Sequence, residues 1–128
     1  VNSYQLGHTA ELHIGNWFEK MGYQIVARNF RCRGGEIDLI VSQGSDLVFV
    51  EVKLRRKPSI NTNNTYSFAN GVESVTLQKQ QRIIRCAQYF LLCQPIWHDY
   101  NMRFDVVSLD SLQGNPYWIQ AAFDACVS

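Results

Sequence analysis

Two short runs of alternating residues, Glu36-Ile37-Asp38-Leu39-Ile40-Val41 and Leu47-Val48-Phe49-Val50-Glu51-Val52-Lys53-Leu54, flank the polar break Gln43-Gly44-Ser45-Asp46 and constrain this chain most. Period-two patterning rich in Val, Ile and Phe marks strands, and the Gly-containing break marks the turn of a β-hairpin. With those four residues as the loop, Ser42 faces Leu47 and paired residues keep a constant sum of numbers. Asp38 then lies opposite Glu51, and Glu36 opposite Lys53. Alternation predicts that Ile37, Leu39, Val41, Val48, Val50, Val52 and Leu54 share a core face, with Asp38, Glu51 and Lys53 together on the other.

Directly opposed residues of an antiparallel pair have Cβ atoms about 4.5–5.5 Å apart, and like charges there are destabilising. An exposed polar face tolerates two such acids at a cost of tenths of a kcal/mol, with Lys53 partly offsetting them. A divalent cation gives them a purpose, since Mg²⁺ is held by one or two carboxylates plus waters and phosphate oxygens. Hairpin geometry alone leaves both readings open.

Upstream, Ala10, Ile14, Trp17, Phe18 and Met21 form an apolar stripe that predicts a helix over Tyr4–Met21, stopped by Gly22. Tyr23–Phe30 reads as a strand and Arg31-Cys32-Arg33-Gly34-Gly35 as the turn into the hairpin. Residues 57–71 are polar, Asn-rich and bracketed by Pro and Gly, which predicts a mobile loop. A second helix over Val75–Cys93 buries Ile83, Ile84, Ala87, Phe90 and Leu91, and Pro95 ends it. Met102–Leu109 and Tyr117–Ala122 are closing strands. The order α-β-β-β-α-β-β implies an α/β fold with a mixed central sheet flanked by helices. At 128 residues one domain accounts for the chain.

An apolar content of 46 % with 18 % charged residues excludes disordered and fibrous classes. No apolar run suits a membrane span, and the longest helical segment carries Lys79, Arg82 and Arg85. The start Val1-Asn2-Ser3-Tyr4-Gln5 has neither the basic nor the apolar part of a signal peptide, so a cytoplasmic protein is expected. Cys32, Cys86, Cys93 and Cys126 form no CxxC pair, and His8, His13 and His98 do not complete a zinc set. Cys86 and Cys93 lie about 10.5 Å apart along one helix, beyond disulfide reach; reduced thiols are expected. Net charge is +1, yet residues 28–103 hold eleven of twelve Lys and Arg against six of eleven Asp and Glu. Arg28, Arg31 and Arg33 precede the hairpin, and Lys53, Arg55, Arg56 and Lys57 end it. Bases clustered beside an acidic pair suit a polyanion.

Asp38 followed by Glu51-Val52-Lys53 on the next strand resembles the bipartite motif of the PD-(D/E)XK nuclease superfamily. The wider string is similar to the YraN family: Gly7-x-x-Ala10-Glu11, Gly22-Tyr23, Asn29-Phe30-Arg31, Gly34-Gly35-Glu36-Ile37-Asp38-Leu39-Ile40, Phe49-Val50-Glu51-Val52-Lys53-x-Arg55, Lys79 with Ala87, and Arg103-Phe104-Asp105-Val106-Val107. The family comprises small bacterial proteins regarded as predicted endonucleases, similar in fold to archaeal Holliday-junction resolvases. The resemblance implies a restriction-endonuclease-like fold and a metal-dependent endonuclease of DNA, acting on branched or otherwise structured forms, with Mg²⁺ or Mn²⁺ as cofactor. It implies Asp38, Glu51, the Val52 carbonyl and Glu11 as metal ligands, and Asp38, Glu51, Lys53 and Glu11 as the catalytic set. Residues 57–71 look longer than the family's usual connection.

Residues 51 and 53 face the same way, so Lys53 is placed to orient the attacking water or contact phosphate. Glu36 is expected to pair with Lys53, and Lys79 to serve as a phosphate or water-side group or as a solvated lysine. Arg31, Arg33, Arg55 and Arg56 are expected to grip the nucleic-acid backbone, a contact with no sequence readout. Tyr66 and Phe68 either stack on unpaired bases or pin their loop. Asp105, in a strand, is left outside the site, either as an acid that supports the site residues from behind or as a structural one. DNA is favoured over RNA, and a homodimer is an open expectation because resolvase relatives pair two sites. The rival readings are a non-catalytic nucleic-acid-binding or partner-docking module on the same fold, and an interaction protein whose acids are surface features.

Overall fold

The computed structural model describes residues 3–54, 75–112 and 114–125. The chain runs α1 (Ser3–Lys20), β1 (Gln24–Cys32), β2 (Gly35–Gln43), β3 (Asp46–Leu54), α2 (Leu77–Cys93), a 3₁₀ turn (Pro95–Trp97), β4 (Asn101–Leu109) and β5 (Tyr117–Phe123). This is the expected order, an α/β fold consistent with the restriction-endonuclease-like class. One five-stranded sheet has spatial order β1-β2-β3-β4-β5. Neighbours are antiparallel except β3 and β4, which are parallel and joined through α2, as a parallel pair requires a crossover. Among the described residues no helix is long and apolar enough to cross a membrane.

The β2–β3 register has the expected sum, with Ser42 opposite Leu47 and Leu39 opposite Val50. The loop is tighter than expected: Gln43 pairs with Asp46, leaving Gly44-Ser45 as a two-residue turn. Gly44 has φ +59 at the first central position, the conformation a type II′ hairpin asks of glycine.

Both sheet faces are covered. Ala10, Ile14 and Phe18 of α1 pack on Leu39, Val41, Val48, Val50, Val107 and Leu109. On the opposite side Ile83, Ile84, Ala87 and Phe90 of α2 pack on Ile40, Leu47, Phe49, Phe104 and Val106. Met21 lies outside α1 and is exposed, and Trp17 is half-buried. In α2, Cys86 joins the buried face and Leu91 sits at its border. The face that carries Asp38 and Glu51 is therefore no exposed polar surface but the far end of the α2-side core. Ile37 also departs from expectation, joining the α2-side cluster rather than that of Leu39 and Val41. Alternation breaks at Asp38, where the hairpin opens.

Loop 57–71, with Tyr66 and Phe68, lies outside the described residues, as do Arg55, Arg56 and Cys126. Cys32, Cys86 and Cys93 are free thiols. Burial pushes the Cys86 thiol up to about 12, with Cys32 beside it adding to the shift.

Candidate active site

The last rung of the β2–β3 ladder is Leu39–Val50. Beyond it β2 stays with β1 as far as Cys32–Gly35, while β3 stays with β4 as far as Leu54–Leu109. The Val52 N–H donates to Asp38 Oδ2 at 2.9 Å, so a carboxylate stands where a ladder acceptor would be. This fork carries the acids. Asp38 and Glu51 are only 8 % and 6 % exposed, at the floor of a cleft of about 240 Å³ lined by Gly34, Gly35, Glu36, Asp38, Glu51, Lys79 and Arg82.

Lys79 reaches the cleft because of how α2 begins. Val75 is buried in the α2-side core, and the Thr76 hydroxyl accepts the Lys79 N–H at 3.1 Å as the helix cap. The Lys79 ammonium then lies 2.7 Å from Glu51 Oε2, with Lys53 3.6 Å from the same oxygen. Gly35 keeps α2 close, since a Cβ there would stand 3.3 Å from the Arg82 carbonyl oxygen.

From the α1 side comes Glu11. Carboxylate oxygens of Glu11, Glu36 and Asp38 lie within 4.8 Å of one another, and Glu51 hydrogen-bonds Asp38. Glu36 does not pair with Lys53 as expected: it pairs with Arg31, its register partner on β1, at 3.2 Å. That correction follows from the fork, since constant-sum pairing no longer applies past Leu39. Asn29, opposite Asp38 on β1 by continuation of the Arg28–Leu39 and Phe30–Ile37 pairing, adopts φ +50 and hydrogen-bonds Glu11.

So many acids in one place cannot all ionise cheaply. Burial, then the Glu51 charge, pushes the Asp38 carboxyl up to about 9, so near neutral pH Asp38 carries the proton. Glu11 is raised chiefly by burial. Lys53 is lowered by burial and by Lys79 beside it. Burial is the largest single influence on Lys79 and pulls it down, but the hydrogen bond and charge of Glu51, with Lys53 and the Asp38 charge, together outweigh it and its value rises. The donor set suits a hard divalent cation: clustered carboxylates whose charge is now balanced by a proton and two ammonium groups.

The structure thus brings together Asp38, Glu51, Lys53, Lys79 and Glu11, and adds Glu36 and Arg82. Arg31 and Arg33 line an adjoining cavity. Arg28 instead lies against Gly15 of α1 and is not among the residues lining this cleft. On β4, Ser108 is the register partner of Lys53, and its buried Oγ has no hydrogen-bond partner among the described residues. Asp105, as expected, stands apart, held by Arg103, Trp118 and the Ala121 N–H.

Residues 10–109 match the profile described as uncharacterised protein family UPF0102. The chain belongs to this family. It is the YraN family of the sequence motifs. A UPF0102 protein of Lachnoclostridium phytofermentans is 43 % identical over 98 % of both chains. One from Legionella pneumophila strain Philadelphia 1 is 37 % identical over 93 % of this chain and 94 % of its own. A third, from Alcanivorax borkumensis, is 42 % identical over 91 % of this chain and 90 % of its own. This UPF0102 chain therefore spans nearly the whole length of these relatives.

Proposed function

We propose that this chain is a metal-dependent endonuclease that hydrolyses phosphodiester bonds in DNA, with branched or structured forms as its substrates. The observation that carries the reading is the forked hairpin end, where buried Asp38 and Glu51 meet Glu11 and two lysines in one cleft. Asp38, Glu51, Glu11 and the Val52 carbonyl would hold Mg²⁺ or Mn²⁺. When bound, such a cation neutralises phosphate charge and makes a water nucleophilic near neutral pH. Lys53, facing the same way as Glu51, orients the attacking water or contacts the phosphate. Lys79 on the α2 side donates to a phosphate oxygen once Glu51 is engaged elsewhere. Arg31 and Arg33 hold the backbone on the rim, which positions the strand without reading sequence.

One observation favours a second reading, a non-catalytic nucleic-acid-binding module. The 2.7 Å contact between Lys79 and Glu51 already gives that buried carboxylate a cation of the protein's own. The two readings part on metal. The test is cleavage of duplex, single-stranded, flapped and four-way DNA in Mg²⁺, Mn²⁺ or EDTA by wild type and Glu51→Ala. The proposal expects cutting that needs metal and is lost in a folded variant. Undiminished cutting by Glu51→Ala would remove the proposed site, and metal-independent DNA binding without cutting would favour the module.

A further inference from the structure

Beside the acidic cleft lies a second, larger cavity of about 560 Å³, lined by Arg31, Cys32, Arg33, Arg85 and Tyr89. The two adjoin along the same elements. The end of the β1–β2 hairpin supplies Arg31 to Arg33 to one and Gly34 to Glu36 to the other, while α2 supplies Arg82 to the acids and Arg85 and Tyr89 to the second. Arg82, Arg85 and Tyr89 are spaced i, i+3 and i+7, which puts them on one helix face.

The chemistry of this cavity is unlike that of its neighbour. It holds three guanidinium groups and no carboxylate among its lining residues. Arg33 and Arg85 make no ion pair among the described residues, so their charge is available to an outside anion. Tyr89 is half exposed, at 50 %. Its ring leans on Phe30 at 6.1 Å between centroids and 33° between planes, and Phe30 is in turn held edge-on by buried Phe90 at 5.1 Å. An aromatic ring braced from behind and open in front, among unpaired arginines, is the combination that stacks a base while neutralising its phosphates. A paired base in a duplex keeps its faces against its neighbours and offers none to such a ring.

We propose that this cavity takes an unpaired nucleotide of the strand whose backbone crosses the acidic cleft, with Tyr89 stacking the base and Arg85 and Arg33 contacting phosphate. The inference rests on the nuclease reading for its second strand contact, and it narrows the substrate class to DNA with a single-stranded segment. Arg85 and Tyr89 become specificity residues, placed outside the metal-binding set.

The test is fluorescence anisotropy with a labelled 12-nucleotide oligothymidine and a 12-base-pair duplex, both in EDTA so that no cleavage enters. Wild type is expected to bind the oligothymidine more tightly than the duplex. Tyr89→Ala is expected to weaken oligothymidine binding about 10-fold and leave duplex binding unchanged, while Tyr89→Phe retains wild-type affinity. Arg85→Ala is expected to weaken both and flatten the salt dependence. Equal affinity for both probes, no binding of oligothymidine, or an unaffected Tyr89→Ala would overturn the proposal. Failure of the nuclease reading is separate: it leaves this binding pattern intact while no metal supports cutting.

Discussion

Two buried aspartates sit on strands of the same sheet and live under opposite conditions. Asp105, fully buried, receives Arg103 Nε at 3.0 and 3.2 Å, Trp118 Nε1 at 2.8 Å and the Ala121 N–H at 2.9 Å. It is an acid whose charge has been met inside the fold. Asp38 receives a single backbone N–H, from Val52, and otherwise faces Glu51, Glu11 and Glu36. Among the described residues no hydrogen-bonded cation meets its charge, and its carboxyl is pushed up by burial and by the acids around it. A buried acid among donors is part of the architecture; one among other acids favours a positive charge beside it. On the proposed reading, the difference puts the working end of the molecule at the fork between β2 and β3 rather than at the β4–β5 pairing.

If the contrast is right, Asp105→Ala carries the largest cost in stability. It leaves Arg103 and the Trp118 and Ala121 donors without their acceptor, and removing one partner of a buried pair costs about 3–5 kcal/mol. Thermal unfolding should show a drop in Tm of more than about 10 °C. Glu51→Ala should do the reverse, losing at least about 100-fold in metal-dependent cleavage while Tm stays within a few degrees of wild type. A collapse of the fold in Glu51→Ala, or unchanged stability in Asp105→Ala, would erase the distinction between the acids of the fork and Asp105.

Asp38 sharpens the contrast through pH. Its folded-state value of about 9 lies above its ordinary 3.8, so between the two the native state keeps a proton that the unfolded chain has lost. The stabilisation is fully present below the unfolded value and declines as pH rises towards the folded one. Metal-free protein should lose up to about 4 kcal/mol between pH 5 and pH 8 in urea melts, and Asp38→Asn should flatten that slope. A slope equally steep in the variant would assign it to other groups. Smallest is Arg31→Ala: its bond to Glu36 is at the surface, the arginine side chain 70 % exposed, so stability should change by less than about 1 kcal/mol, while DNA binding weakens and its salt dependence falls.

Much of this was legible in the residues. Element order, the hairpin register and the grouping of Asp38, Glu51 and Lys53 follow from period-two patterning and a four-residue polar break. The covering of both faces is also written in the residues, since Ile40, Leu47 and Phe49 are apolar on the side that carries the acids. What pattern could not supply was the point where β2 and β3 part, because strand separation is set by competition for partners in the whole sheet. Pairing Glu36 with Lys53 requires a ladder that continues past Leu39–Val50, where it ends. Arg82 had a signal, one helical step from Lys79, whereas the φ +50 of Asn29 had only the tolerance of Asn for that region.

Calorimetric titration of metal-free protein with Mn²⁺, on wild type and on Asp38→Asn and Glu51→Ala variants shown to be folded, tests the central claim most directly. The account predicts saturable binding by wild type that each variant abolishes or weakens at least about 10-fold. Absence of binding by wild type, or equal binding by all three proteins, would contradict the reading of the forked hairpin end as a metal site.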